Sequence, residues 1–438
     1  MSNETINLLS QLIQNACVND GTINSGNESR SVETLRTFFN DHAVDIEVHG
    51  GVENRDSLVV RMQGKSGEAP SLLLMGHTDV VPATGSDWEF DPFGGEIKDG
   101  YVLGRGAVDM LNLTSSMAVA LSNVIRSGFA PEGDVIFAAV ADEEAGGVHG
   151  AGYLVENYPD LVAADYVITE SGGIQMRTQD KLHLPVCVGE KGVHWAHIDV
   201  EGTPTHGSKP YRSDNALLKS AEIIDRFKNY TPPVKFIEGW NTFLHALGLN
   251  EELTKSLSDE HEVDDALSSL DINTASVLHA CCHHTYSPNT LSAGTKVNTV
   301  ADRASIGVDI RTLPGTTEAD VDSMLRDVLG EYYDQVEITY SQNEISTFSP
   351  TDTELWSRLE KISSDIVGDA ELIPVIAPFG TDARYFRRMG SIAYGYGLFS
   401  PKISYEEHLS MFHGRNERVD VESLDYSTQL FEQLIRAN

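Results

Sequence analysis

Leu72-Leu73-Leu74-Met75-Gly76-His77-Thr78-Asp79 is the stretch from which the fold of this 438-residue chain can be read. Four apolar residues in a row, closed by a glycine and polar side chains, read as a strand buried on both faces, as in the middle of a parallel sheet. The pattern recurs downstream. Gly104-Arg105-Gly106-Ala107-Val108-Asp109 opens onto a segment of helical spacing, Leu111–Arg126. Val135-Ile136-Phe137-Ala138-Ala139-Val140 delivers Ala141-Asp142-Glu143-Glu144, and Asp165-Tyr166-Val167-Ile168-Thr169 delivers Glu170. These runs predict an α/β fold with a mixed, mostly parallel sheet flanked by helices. In such sheets functional groups collect where strands end, so the polar tips are the candidate site.

The residue types at these tips point to a metal pair. His77 offers an imidazole nitrogen, Asp109 can lend one oxygen to each of two ions, and Glu144 adds a terminal carboxylate. Nitrogen and oxygen donors of this kind suit two Zn²⁺ ions and leave room for Mn²⁺ or Co²⁺. Asp79, two residues beyond His77, is expected to hold the other imidazole nitrogen. Glu143 stands beside a ligand, where a free carboxylate can act as general base for metal-assisted hydrolysis. Taken singly, a His-x-Asp pair is often structural, a Glu-Glu pair is often surface charge, and an Asp before a helix is often a cap. Three such events at three strand tips favour the metal account.

Composition bounds the rest. Apolar residues make up 40% of the chain, enough for sizeable cores and at least two domains. No run approaches the ~20 apolar residues of a membrane span. Met1-Ser2-Asn3-Glu4-Thr5 lacks the basic and apolar regions of a signal peptide, and Cys17, Cys187 and the adjacent Cys281-Cys282 are a poor disulfide set. A cytoplasmic protein is the expectation. The 66 acidic residues against 31 basic ones leave a net charge of −35, and arginines outnumber lysines 19 to 12. Such a surface repels nucleic acid and anionic membranes, and it has the acidic, lysine-poor character of a protein adapted to salt.

The order His77-x-Asp79, Asp109, Glu143-Glu144, Glu170 and a late His413 resembles the di-zinc aminoacylase/carboxypeptidase family. That family includes aminoacylase, acetylornithine deacetylase, succinyl-diaminopimelate desuccinylase and glutamate carboxypeptidase. The motifs GHTDVVP, GRGAVDM, ADEEAGG, ITESGG, THGSKP, FGTDARYF and FHGRNE carry the likeness from about Leu8 to Ile435. The resemblance implies a zinc-exopeptidase-like catalytic domain. It pairs His77 with Glu170 on one ion and Glu144 with His413 on the other, with Asp109 bridging. It also implies a cis peptide between Asp109 and Met110.

Beyond Gly189-Glu190-Lys191-Gly192 the pattern changes. An alternating strand at His194–Glu201 precedes a helix at Asn215–Phe227, strands at Ala275–His283 and Ala304–Arg311, a helix at Glu318–Leu329 and a strand at Gln335–Tyr340. That order, βαββαβ, is a ferredoxin-like split unit. Residues 191–346 are therefore expected to form an inserted domain between catalytic segments 1–190 and 347–438. The resemblance makes this insert a lid through which two subunits pair as a homodimer. Cys281-Cys282-His283-His284 is not expected to bind metal, because neighbours on a strand face opposite ways. The stretch near 231–270 is left without a role.

The resemblance supplies further site residues. His206, in Thr205-His206-Gly207-Ser208, matches a lid histidine that enters the partner subunit's site and polarises the scissile carbonyl. Asn298 and Arg311 match substrate-binding positions, and a guanidinium is apt for gripping a carboxylate. Gly380 and Thr381 match a segment whose backbone and hydroxyl contact the substrate. The expected activity is hydrolysis of an amide in a small N-acyl amino acid or dipeptide with a free carboxylate. The alternatives are a biosynthetic N-succinyl or N-acetyl diamino acid deacylase, and a non-catalytic metal-binding scaffold.

Overall fold

The computed structural model describes residues 3–438 except 43, 85–87 and 179–180. Its larger sheet runs Asp45–His49, Ser57–Met62, Val135–Val140, Leu72–His77, Tyr166–Thr169, Ile392–Gly395, Leu182–Glu190, Thr347–Phe348. Ala370–Ala377 and Met176–Arg177 also pair with Leu182–Glu190. The four strands from Val135–Val140 to Ile392–Gly395 are mutually parallel, while the Asp45–His49 and Ser57–Met62 margin is antiparallel. This is the expected α/β architecture, parallel through its centre.

Both faces of that centre are covered, and the strands divide their side chains between them. Leu72 and Leu74 enter a core shared with the helices Asn3–Gln14, Leu111–Arg126 and Val421–Ala437. Leu73 and Met75 enter a second core with Leu154 and Phe386. Val135, Phe137 and Ala139 follow the first pair, whereas Ile136, Ala138 and Val140 follow the second. Two-sided burial is why these runs are apolar without alternation. Each buried Leu or Phe contributes about 1.5–3 kcal/mol relative to exposure.

Close packing also delivers the polar tips. A Cβ on Gly76 would lie 2.3 Å from Thr114 Oγ1, so only glycine lets the Leu111–Arg126 helix press against this strand end. Thr114 uses that proximity to donate to the His77 carbonyl oxygen at 2.9 Å. His77, Ala141–Glu144 and Glu170 stand at or just beyond the carboxyl ends of three adjacent parallel strands, hence on one edge of the sheet.

A second sheet runs Thr285–Ala293, Arg303–Thr312, Gly192–Glu201, Val336–Glu344, antiparallel throughout. The helices Ala216–Asn229 and Glu318–Leu329 cover one of its faces through Ile223, Phe227, Val321 and Leu325. The βαββαβ order is present, with one correction. Residues 275–282 are not a strand but belong to the helix Ile272–Cys282, which His283 ends, and the second strand is Thr285–Ala293. Asp271 caps that helix by accepting from the backbone of Asn273 and Thr274 at 3.1 Å. The cap fixes the first turn where the apolar content had read as extended.

The reason given for excluding a Cys281–His284 metal site changes accordingly, because these residues end a helix. The four do not meet at one point: Cys282 Sγ lies 3.2 Å from His283 Nδ1, Cys281 is buried in an apolar cluster, and His284 Nδ1 accepts from the Leu313 backbone at 3.1 Å. His283 groups instead with His279 and Asp264, with one donor atom from each within 4.8 Å of the others. The stretch that had lacked a role holds three short helices, Trp240–Ala246, Glu251–Leu257 and Val263–Leu267, which Ile272–Cys282 continues. Their apolar faces pack on Met176, Ile373 and Val375, at the Leu182–Glu190 side of the larger sheet. No helix among the described residues is long and apolar enough to cross a membrane.

Candidate metal centre

His77 closes its strand with both ring nitrogens engaged. Nδ1 lies 2.9 Å from the Asp79 main-chain oxygen, and Nε2 lies 3.1 Å from Asp109 Oδ1 and 3.8 Å from Glu170 Oε2. A carbonyl that takes the Nδ1 proton leaves the Nε2 lone pair free for a metal. The Asp79 carboxylate is 3.5 Å from Nδ1 and serves mainly elsewhere. Its oxygens accept from the backbone of Glu143 at 3.2 Å and Glu144 at 3.1 Å, and from Asn19 Nδ2 at 2.8 Å. Asp79 therefore anchors the turn carrying Glu143 and Glu144 more directly than it anchors the imidazole.

Asp109 presents its two oxygens to different histidines. Oδ1 faces His77, while Oδ2 lies 3.3 Å from His413 Nε2, which is itself 3.1 Å from Glu144 Oε2. Two groups of three result, His77/Asp109/Glu170 and Asp109/Glu144/His413, each with its donor atoms within 4.8 Å of one another. Bonds of about 2.0–2.1 Å in tetrahedral array put neighbouring donors roughly 3.3 Å apart, so these spacings fit a pair of divalent ions. Among the described residues, Glu144 Oε1 is buried with no donor, a further acceptor for a cation.

The backbone around these residues is tightly constrained. The Asp109–Met110 peptide is cis, as the resemblance implied. Glu417, fully buried, accepts from the backbone of Val108 (2.6 Å), Asp109 (3.0 Å) and Gly106 (2.9 Å) and from Arg105 Nη1 (2.8 Å). Asp142, Ser171 and His413 take positive φ at the three turns that aim Glu143/Glu144, Glu170 and His413, a conformation uncommon outside glycine. Beneath lies a buried network in which Arg55 contacts Asp142 and donates to Asn19 Oδ1 at 3.0 Å. The sequence reading gave no role to Asn19, Arg55, Asp142 or Glu417. The available signals were Asp142, inside the ADEEAGG motif, and Glu417, inside the FHGRNE motif.

Electrostatically the cluster is short of positive charge. Burial, then the charge of Glu170, pushes the Glu143 carboxyl well above the usual range. Burial and the neighbouring Asp109 push Glu144 to about 7. Hydrogen bonds to Asp109 and Glu144 push His413 up to about 10. Burial opposes charge on His77, yet Asp109, Asp79 and Glu170 hold its pKa well above the ordinary imidazole value. Two divalent cations would neutralise this excess.

The cleft over the cluster, about 1000 Å³, is lined by Glu143, Asp109, Glu144, Glu170 and His413 together with Arg311, Gly380 and Arg384. Arg311 is engaged by Asp309, through Nε–Oδ1 at 2.7 Å and Nη2–Oδ2 at 3.2 Å. Thr381 departs from expectation. Its buried hydroxyl donates to Glu190 Oε2 at 2.9 Å, turned away from the cleft because Glu190 and Arg387 form a buried pair beside it. His206 and Asn298 are brought together, with the Gly207 backbone donating to the Asn298 oxygen at 2.7 Å. Both are exposed on the inserted unit, and neither lines the cleft of its own chain.

Known proteins share this framework. The chain is 25% identical over 434 residues to the N-fatty-acyl-amino acid synthase/hydrolase PM20D1 of Xenopus tropicalis, covering 95% of this chain and 83% of the relative. It is 25% identical over 391 residues to the probable carboxypeptidase S-like 2 of Dictyostelium discoideum, covering 87% and 74%. Its fold is similar to that of the M20 family metallo-carboxypeptidase Sso-CP2 from Sulfolobus solfataricus, with a TM-score of 0.74 and 17% identity over 99% of both chains. The model of peptidase family M20/M25/M40 matches residues 73–437, and the chain belongs to that family.

Proposed function

We propose that this protein hydrolyses the amide bond of a small N-acyl amino acid or dipeptide bearing a free carboxylate, with two divalent cations held by His77, Asp109, Glu144, Glu170 and His413. Membership of its family makes it a metal-dependent amide hydrolase. The observation that carries the finer reading is Asp109, whose two oxygens serve two separate His-carboxylate groups. The donor set favours Zn²⁺ and accommodates Mn²⁺ or Co²⁺. Ions bound there would polarise the amide carbonyl and acidify a water.

Glu143, beside the ligands and with a raised pKa, takes the proton from the attacking water and passes it to the leaving amine. Arg311 receives the substrate carboxylate by exchanging it for Asp309, and the Gly380 backbone borders the same cleft. His206 of the partner subunit, in a homodimer paired through the inserted unit, donates a hydrogen bond to the developing oxyanion. His206 and Asn298 being exposed and adjacent supports that arrangement. The protein works in the cytoplasm, which its four free, buried cysteines favour, and its acidic surface suits salty surroundings.

The activities named for the two relatives support a substrate with an acyl-amino acid or C-terminal carboxylate. A second reading, a diamino acid deacylase, is favoured by 32% identity to a succinyl-diaminopimelate desuccinylase of Parvibaculum lavamentivorans, over only 40% of this chain. A non-catalytic scaffold is disfavoured, since Glu143 and all five ligands are present. A panel of N-acyl amino acids, dipeptides and succinyl-diamino acids, assayed with Zn²⁺, Mn²⁺ or Co²⁺ and after chelation, tests the reading. Turnover that survives complete chelation, or is confined to the succinyl compounds, would overturn it.

A further inference from the structure

The cleft has a second arm. A cavity of about 270 Å³ opens beside Glu170, and Glu170, Phe379 and Phe412 line both it and the ligand-bearing cleft. Part of its wall comes from the inserted helices: Trp240 and Phe243 from Trp240–Ala246, and Val277 and Cys281 from Ile272–Cys282. These helices are anchored from outside. Trp240 Nε1 donates to the Leu257 oxygen at 3.0 Å, and Leu278 and Cys282 are buried in the cluster around Ile373. The wall is therefore preformed.

The chemistry of this arm is one-sided. Among the described residues no lysine or arginine lines it, and Glu170, shared with the cleft, is the one acidic group that does. Burial keeps His408 uncharged, with a pKa of about 4, and pushes the Cys187 and Cys281 thiols up to about 11. The cationic groups, Arg311 and Arg384, line the cleft instead. A substrate carrying a carboxylate at one end and an apolar group at the other would match both arms. A second carboxylate in the apolar arm would be buried without a counter-charge.

We infer that the inserted helices build an acyl-chain pocket, so that the substrates are amino acids N-acylated by a long apolar chain in preference to acetyl or succinyl groups. The inference rests on the amide-hydrolase reading for its placement at the site. Occupancy of the pocket can nevertheless be measured without turnover.

The test has two arms on the full-length, metal-loaded protein. The first compares kcat/KM for acetyl, butyryl, octanoyl, dodecanoyl and succinyl derivatives of one amino acid. The second measures calorimetric binding of acetate, octanoate, dodecanoate and succinate. We expect kcat/KM to climb about fourfold per added methylene until the cavity fills, with succinyl at the bottom. Binding should strengthen in the same order with an increasingly negative heat-capacity change.

Val277 and Leu409 line the cavity and are 36% and 38% exposed, so Val277→Lys and Leu409→Lys are tolerable in the fold. Each should lower the dodecanoyl-to-acetyl ratio at least tenfold. Hydrolysis of the whole series without a chain-length gradient, or an unchanged ratio in both variants, overturns the pocket and leaves the hydrolase standing. Chain-length-graded binding with no hydrolysis of any compound retires the hydrolase reading and supports the pocket.

Discussion

Glu417 and Glu143 are buried or partly buried carboxylates with opposite duties, and their removal should separate cleanly. Glu417 accepts four hydrogen bonds from the segment leading into Asp109. Glu417→Ala would orphan those donors and the Arg105 charge, so it should cost about 3–5 kcal/mol in chemical denaturation. It should also weaken metal binding 10–100-fold, the usual worth of a group that holds a ligand in place. Glu143→Ala removes no bond on which the ligands depend. Its metal content and melting temperature should match the parent while turnover falls about 10²–10⁴-fold. A Glu143 variant that stays active, or one that loses its metal, would remove the residue from its role as base. The ligands His77, Glu144 and Glu170 were legible because each ends an apolar run, a local pattern. Glu417, Arg55 and Asn19 were not, because their partners lie 308–312, 87 and 60 residues away, where no spacing rule reaches.

Among the elements, the sheet strands were legible wherever both faces are buried and turn residues bracket the run, as at Leu72–His77 and Val135–Val140. The Ile272–Cys282 helix was misread because a short apolar run carries no decisive period, and its identity rests on the Asp271 cap. The inserted four-stranded unit raises a different question, namely what its exposed Thr205–Ser208 loop does. His206 Nδ1 accepts from Ser208 Oγ at 2.8 Å, which orients the ring while the residue stays exposed. An oriented, solvent-facing histidine away from its own cleft suits donation across a two-fold axis. Among the described residues the Thr285–Ala293 edge strand pairs only with Arg303–Thr312, which leaves its other side to join a second copy. Mixing His206→Ala with Glu143→Ala subunits should then restore activity, since one site of each heterodimer keeps His206 from one chain and Glu143 from the other. Verified heterodimers that stay inactive, or a fully active monomer, would sink the shared site.

On the scale of the whole molecule, the net charge of −35 is spread over 19163 Å² of surface, roughly 550 Å² for each uncompensated charge, or a spacing of about 23 Å. That spacing lies inside the Debye length of about 30 Å at 0.01 M salt and well outside the value of about 10 Å at 0.1 M. Most of the relief of long-range repulsion should therefore arrive between those concentrations. What remains comes from acids that crowd more closely, such as Asp259, Glu260 and Glu262 in the turn before the Val263–Leu267 helix and Asp264 and Asp265 on it, and their repulsion is screened only as the Debye length shrinks towards about 3 Å near 1 M. Exposed ion pairs such as Lys65–Glu132 weaken over the same range, but each is worth at most about 1 kcal/mol. Acids outnumber bases two to one, so repulsion should win. The melting temperature is expected to rise steeply between 0.01 and 0.1 M NaCl and to keep rising, more gently, to 1 M. Repeating the scan with equimolar sucrose in place of salt separates screening from general exclusion of solutes, because sucrose leaves the charge term untouched. A melting temperature that stays level from 0.01 to 1 M NaCl would show that the surface is not adapted to salt, and would leave its acidity as ordinary solubility charge.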